Sequence, residues 1–160
     1  MVNNLITQFG YDKIVKEFKQ LLEVEKPHWV KQKEIAAQLG DRSENAEYIS
    51  AKEMIRNIDK RLRFLDKIIK SSTVVNTYTL PQHKINFGSE VLLLDLETDE
   101  EKTFIIVGTH ETEPNKGYIS NKSPFGKSLL GKTIGEEINF HINDNFFEYE
   151  VLEIKTHKFI

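Results

Sequence analysis

The sequence predicts an α+β chain, with an N-terminal antiparallel α-helical coiled-coil hairpin and then a small antiparallel β domain containing one short helix. Three observations predict it. Tyr48, Ala51, Ile55, Ile58, Leu62, Leu65 and Ile69 recur at alternating steps of three and four, the seam of a coiled coil. A short polar segment, 40–47, separates this stretch from an earlier helix-period stretch, which is too little chain for anything but a reversal. Beyond residue 83 the apolar period drops to two, and turn residues punctuate short runs. The expected division is residues 1–76 for the hairpin and 77–160 for the β domain.

The first arm opens after Thr7, an N-cap residue, with Tyr11 to Ile14 in its first turns. Its seam runs Ile14, Phe18, Leu21, then Glu25, His28 and Gln32, before apolar Ile35 and Leu39. The middle of that seam is weak, and Pro27 lies in it. An interior proline removes a hydrogen bond and bends a helix, so a bend is expected at Lys26-Pro27. Gly40 is expected to end the arm. The second arm runs to Ser71-Ser72, and residues 73–83, with Pro81, form a linker containing a short strand. Strands are expected at 84–87, 90–95, 103–107, 118–120, 137–142 and 146–154. Ser123-Pro124 caps and opens a short helix through Leu130, stopped by Gly131.

Composition sets the outer limits. Of 160 residues 39% are apolar, and no run approaches the ~20 apolar residues a membrane-spanning helix needs, so no membrane partner is expected. The first residues lack the basic and apolar regions of a signal peptide, which makes the cytoplasm the expected location. The absence of cysteine excludes disulfides and thiolate metal sites, and the five histidines have no ligand spacing. Residues 1–76 hold 14 Lys and Arg against 11 Asp and Glu, whereas residues 77–160 hold 8 against 14. A basic half in a chain of net charge −3 points to a local polyanion contact rather than bulk coating of nucleic acid.

Two features carry candidate chemistry. At the hairpin tip, Asp41, Glu44 and Glu47 are spaced by three, which on a helix puts neighbours on one side. The plainer reading of Asp41 and Glu44 is a capping box, with Asp41 as N-cap and Glu44 reaching back. The functional reading is oxygen ligands presented to something outside the protein. Ser43 and Asn45 are either ordinary turn residues or groups that orient a water or a substrate. Along the second arm Lys52, Arg56, Lys60, Arg63, Lys67 and Lys70 form a stripe on the side away from the partner helix, with Glu53, Asp59 and Asp66 off that line. This is either a solvated back face or a track for phosphates, the latter giving salt-sensitive binding.

These residues resemble the bacterial Gre transcript-cleavage factors. The likeness rests on the tip Gly40-Asp41-Arg42-Ser43-Glu44-Asn45-Ala46-Glu47-Tyr48, on 119–132 (Ile-Ser-Asn-Lys-Ser-Pro-Phe-Gly-Lys-Ser-Leu-Leu-Gly-Lys), on Thr7 with Gly10, on Lys26-Pro27, and on Tyr149 to Leu152. It covers nearly the whole chain. The tip hexapeptide and 58–65 look more like GreB than GreA.

The resemblance implies an FKBP-like second domain that docks at the rim of the secondary channel of RNA polymerase. It implies a coiled coil that threads the channel and a basic patch that holds the 3′ segment of the nascent RNA. For this chain it implies that Asp41 and Glu44 help hold a second Mg²⁺ jointly with the polymerase, with none bound by the protein alone. It further implies RNA contacts at Lys52, Arg56, Lys60, Arg63 and Lys67, and docking through Lys122, Ser123, Pro124 and Phe125. Lys122 departs from GreB-type factors, which tend to carry an acid there. The expected protein is a monomeric cofactor of the polymerase with no turnover of its own. Two alternatives stand beside it: a channel-blocking inhibitor of the same fold, and a prolyl isomerase or chaperone using Phe87, Phe104, Tyr118 and Phe140 as an aromatic pocket.

Overall fold

The structure is a computed structural model that describes residues 4–160. By contacts the chain forms two compact units, one of the residues up to Gly10 together with Ser72–Ile160, the other Tyr11–Ser71. The division expected at residue 76 follows chain order. Contacts divide the chain differently because its first strand joins the β unit. Strand β1 (Asn4–Thr7) pairs in parallel with β2 (Ser72–Val75), Asn4 opposite Ser72 and Thr7 opposite Val75. A four-residue strand paired with a segment so distant in sequence carries no periodic signal, and β1 was not expected.

Thr7 caps helix α1 (Gln8–Gln20): its Oγ1 accepts from the Gly10 amide at 3.0 Å. It is also held from across the β unit. Glu111 takes the Thr7 hydroxyl on Oε1, and on Oε2 the Thr7 amide at 3.1 Å and the Gly108 amide at 2.8 Å. A Cβ on Gly10 would run into this carboxylate, so the close approach requires glycine.

The first arm does not bend as a simple proline kink. A π-helical turn, Leu21–Glu25, lies between α1 and α2 (Lys26–Ala37), and the Lys26 amide bonds back to the Leu21 carbonyl. Proline at 27 can neither donate to nor pack against the carbonyl four residues back, and widening the preceding turn relieves both. The wider turn shifts the phase of the arm. Ile35 and Leu39, expected in the seam, are 44% and 68% exposed, while Ala36 is 3% exposed.

Helix α3 (Ala46–Ser71) packs antiparallel along α2. Ala51, Ile58, Leu62 and Leu65 are buried as their spacing predicts, and Tyr48 and Ile55 are half-buried. At the far end Ile68 is buried and Ile69 only half-buried, because a helix of 3.6 residues per turn drifts off a strict seven-residue repeat. Two ion pairs tie the arms together: Lys26 with Asp59 at 2.7 Å, and Arg61 with both oxygens of Glu17 at 3.0 Å.

The β unit is built on a five-stranded sheet, ordered β5-β4-β3-β7-β6. Strands β3 (Ser89–Asp95), β4 (Glu101–Val107), β6 (Glu137–Ile142) and β7 (Asn145–Thr156) pair antiparallel, with a bulge at Leu92/Leu93. The edge strand β5 (Tyr118–Ser120) instead runs parallel to β4, so the sheet is mixed. The link between them contains two 3-10 turns, Thr109–Glu111 and Pro114–Lys116, which carry the chain back before it re-enters. Residues 84–87 are not a strand. Ile85 and Phe87 are buried at alternate positions, but Ile85 bonds only to the loop at Gly131 and Lys132. Helix α4 (Pro124–Leu129) covers one face of the sheet, where Leu129 joins Val91, Leu93, Ile106 and Val151 in the core.

The C-terminal tail is fastened by a charged cluster. His157 Nδ1 lies 2.7 Å from Glu90 Oε1, Lys155 Nζ lies 3.1 Å from Glu90 Oε2, and His157 Nε2 lies 3.2 Å from the Tyr118 hydroxyl. Burial by itself would raise the Glu90 carboxyl, but hydrogen bonds from His157 and Lys155 outweigh it and hold the group below its ordinary 4.5. A depressed folded value means that the carboxylate stabilises the fold above about pH 4.5 and that this is lost as pH falls through the folded value. Thermal melts at pH 6 and pH 3.5 should therefore differ less for Glu90→Gln than for the wild type. An equal difference in both would show that the cluster contributes nothing.

Candidate functional site at the hairpin tip

The link between the arms, residues 38–45, leaves Asp41, Arg42, Ser43 and Glu44 exposed. The capping box is not formed. Asn45 is the residue that starts α3: its Oδ1 accepts from the amides of Glu47 and Tyr48, both at 3.1 Å. Asp41 lies earlier in the link and serves a local turn, its Oδ1 accepting from the Ser43 amide at 3.0 Å and the Ser43 hydroxyl at 2.9 Å. Those two bonds hold the Asp41 carboxyl below its ordinary value, so it stays ionised over a wider range. Among the described residues no hydrogen bond or ion pair is recorded for Asp41 Oδ2 or for the Glu44 carboxylate. Asn45 is engaged at both ends, since its Nδ2 donates to the Ala36 carbonyl at 2.6 Å.

Two exposed hard-oxygen donors suit Mg²⁺, which keeps most of its waters and takes one or two protein carboxylates. They do not make a complete site. Among the described residues no group of three or more His, Cys, Asp or Glu is placed to hold a metal ion.

Beside the tip runs an open groove of about 490 Å³ lined by Arg42, Ser43, Tyr48, Ile49, Lys52, Glu53 and Arg56. Arg42 lies 5.7 Å from the centre of the Tyr48 ring. The groove opens onto the stripe, and Lys52, Arg56, Lys60, Arg63, Lys67 and Lys70 are all exposed on α3. Not every cation there is available. Arg56 pairs with Glu53 at 3.0 Å and Lys70 with Asp66 at 2.9 Å, so these two acids partly neutralise the line. Asp59 is drawn away by Lys26. Lys52, Lys60, Arg63 and Lys67 have no recorded ion pair among the described residues.

In the β unit the segment 122–125 starts α4. Ser123 Oγ accepts from the Gly126 amide at 3.0 Å and donates to the Ser120 carbonyl at 2.7 Å. Lys122 Nζ donates to Asn4 Oδ1 at 2.6 Å. Pro124 is exposed, whereas the Phe125 ring packs inward, 5.0 Å from that of Phe104 and 5.2 Å from that of Phe140.

Comparison with known proteins decides the family. The family profile described as "Transcription elongation factor, GreA/GreB, C-term" matches residues 80–156, and "Transcription elongation factor, N-terminal" matches residues 4–74. The chain belongs to the GreA/GreB family of transcription elongation factors.

The chain is 39% identical over 154 residues to the transcription elongation factor GreA of Helicobacter hepaticus, covering 96% of this chain and 94% of that one. It is 42% identical over 149 residues to GreA of Helicobacter pylori strain Shi470, covering 93% and 91%, and equally identical to GreA of Wolinella succinogenes, covering 93% and 92%. Among solved structures, the GreA factor homolog 1 protein of Thermus thermophilus aligns over 96% of this chain and 99% of its own, at 21% identity and a TM-score of 0.44. As a Gre factor the chain stimulates transcript cleavage by RNA polymerase and is not itself the hydrolase. These relatives carry the name GreA, so the leaning toward GreB drawn from residues 41–46 and 58–65 gains nothing from them.

In this Gre factor the tip joins Asp41 to Ser43 and sets Arg42 against Tyr48, while among the described residues no contact of the Glu44 side chain with them is recorded. Asn45, expected either as a turn residue or as a group orienting water or substrate, is the helix cap, and only its partners reveal this. Among the aromatics considered for a prolyl-isomerase pocket, Phe87 is buried in the core, and Phe104 and Phe140 pack around Phe125. Sequence reasoning missed Glu111, whose bonds to Thr7 span most of the chain. No helix among the described residues is long and apolar enough to cross a membrane.

Proposed function

We propose that this Gre factor carries its hairpin into the secondary channel of RNA polymerase and there lends Asp41 and Glu44 to an Mg²⁺ ion held mainly by the polymerase. When bound, the ion supplies a Lewis acid and a low-pKa water for attack on the RNA phosphodiester. Asp41 offers Oδ2, with its other oxygen fixed by Ser43, and Glu44 offers a carboxylate with no competing partner. Ser43 orients Asp41, which is a narrower role than orienting the water. The observation that carries this reading is the split of Asp41, one oxygen held and one open, on an exposed link whose helix is capped by a different residue. The GreA names of the relatives support a GreA-type factor over a GreB-type one. We place docking at Ser123 and Pro124, with Phe125 acting from beneath as the packing that fixes the loop. Lys122 is tied to Asn4, which suits a role in shaping this loop.

The test is a purified polymerase stalled in a backtracked complex with labelled RNA and Mg²⁺. Adding the protein should shorten the transcript within seconds to minutes, and no acceleration would sink the reading.

The stripe gives a second measurement. Lys52, Lys60, Arg63 and Lys67, with Arg56 at the groove, hold phosphates of extruded RNA in this reading. Replacing Lys60, Arg63 and Lys67 with Ala should lower the slope of log K against log salt by about two for a backtracked complex, at ~0.7 per phosphate contact on a single strand. Binding to polymerase without extruded RNA should keep its slope. A triple variant whose slope is unchanged on both complexes would leave the stripe as a solvated helix face.

A further inference from the structure

We infer that Asn45 is the positioning residue of the tip: its one amide side chain both starts α3 and ties that start to the last turn of α2, so the link carrying Asp41 and Glu44 is closed at its base. The inference rests on the reading of Asp41 and Glu44 given above.

The two ends of the amide do different jobs. Oδ1 accepts the amides of Glu47 and Tyr48, and Nδ2 donates to the Ala36 carbonyl at 2.6 Å. Ser, Thr and Asp cap a helix about as well as Asn. Ionised Asp has no donor, and Ser and Thr have only an O–H on the accepting oxygen itself, with no second polar atom to reach across to α2 as Asn Nδ2 does. Capping alone would therefore accept several residues at position 45, while joining α2 to α3 requires the amide.

Among the described residues no other hydrogen bond from the link joins α2 to α3; Arg42 reaches only Tyr48 of α3. Ser43 bonds to Asp41, and the Glu44 amide bonds to the Asp41 carbonyl at 3.3 Å, all within the link. Gly40 sits at a φ of 148° with nothing within 4 Å of where its Cβ would be, so no packing restrains the chain there. Leu39 is 68% exposed. Two carboxylates on such a segment lose their geometry unless the ends of the segment are fixed, and fixing the ends ahead of time spares the ordering cost when the ion is met.

Asn45→Asp tests this most directly, because it keeps an oxygen for the amides of Glu47 and Tyr48 and, when ionised, deletes the donor to Ala36; Asn45→Ser leaves only a shorter O–H on the accepting oxygen itself. The first measurement is amide hydrogen exchange on the free protein. Residues 39–44 should exchange at least about threefold faster in both variants, while the α3 amides beyond residue 49 keep their protection, as a local opening requires. The second is stimulated cleavage on a backtracked complex across an Mg²⁺ titration. The Mg²⁺ concentration for half-maximal stimulation should rise about tenfold, the lower end of what losing a group behind a metal ligand costs. Saturating Mg²⁺ should restore the wild-type plateau, and polymerase affinity should not change.

Unchanged exchange at 39–44 would overturn the inference. So would a titration that keeps its midpoint and loses its plateau, which would make Asn45 a group acting directly on RNA or water. If the wild-type protein itself stimulates no cleavage, the shared-metal reading fails and the positioning role fails with it. The exchange measurement would still decide whether Asn45 closes the link.

Discussion

Asp41→Ala and Glu44→Ala should each reduce stimulated transcript cleavage by about 100-fold or more, the scale seen when one charged or hydrogen-bonding group is removed from a reacting oxygen. That corresponds to about 2.7 kcal/mol of transition-state stabilisation. Polymerase affinity should stay near that of the wild type, because neither residue belongs to the proposed docking loop. Stability separates the two readings of these acids. An N-cap replaced by Ala costs about 1 kcal/mol. Here the cap is Asn45, and both acids are exposed, so each substitution should change unfolding free energy by less than about 0.5 kcal/mol. The isosteric Asp41→Asn and Glu44→Gln should lose cleavage nearly as fully, since shape is kept and only the anionic oxygen is lost. Cleavage rates on a backtracked complex, read beside thermal melts, check all four variants. Full cleavage by Asp41→Asn would end the case for Asp41 as a metal partner.

Gly126→Ala should disable the β unit at the loop we propose as its docking point on the polymerase. Gly126 lies in the first turn of α4, directly over the end of β5. An added Cβ would fall on the Ser120 carbonyl oxygen well inside contact distance, 3.0 Å from the Ser120 carbonyl carbon and 3.1 Å from Ser123 Oγ. The obstacle is mostly backbone, so no side-chain rotation relieves it. Either α4 lifts, drawing Leu129 out of the core and Phe125 off Phe104, or the end of β5 moves and breaks the Ser123 cap. Overpacking of this kind costs about 1–3 kcal/mol. Polymerase affinity should fall with it, since Ser123 and Pro124 ride on the same turn. Lys127→Ala, on the exposed side of the same helix, is the control and should change neither. Chemical denaturation and a polymerase binding titration provide both readouts. A Gly126→Ala protein with wild-type stability would show that this contact is slack.

How much of this was legible beforehand follows the range of the interactions. The α3 seam is legible because burial of one helix face is written directly as spacing: Ala51, Ile58, Leu62 and Leu65 are buried, and Tyr48, Ile55 and Ile69 are half-buried. The cap at Ser123 and the proline after it are legible because both act within three residues. Thr7 is legible as a cap for the same reason. The alternation at Ile85 and Phe87 was misleading: burial at every second residue makes a strand only if a neighbour supplies the hydrogen bonds, and here the neighbour is a loop. The first arm failed at one point. The π turn inserted before Pro27 moved the buried face from Ile35 and Leu39 to Ala36, and no periodicity analysis carries a phase change it has not been told about.

The chain's sequence by itself determined the hairpin, the change to strands after it, the polar reversal that puts Asp41 and Glu44 at the tip, and the stripe of cations behind them. These depend on residues within a turn or two of one another, where backbone geometry converts spacing into direction. Tertiary structure alone decided that β1 crosses to β2, that Glu111 fastens Thr7, that β5 runs parallel to β4, that Phe125 turns inward, and that Asn45 rather than Asp41 caps α3 while holding Ala36. Each of these is a choice among partners of equal local merit. A side-chain amide or carboxylate satisfies its hydrogen bonds with whatever the fold brings within 3 Å, and that is settled only once the distant elements have packed.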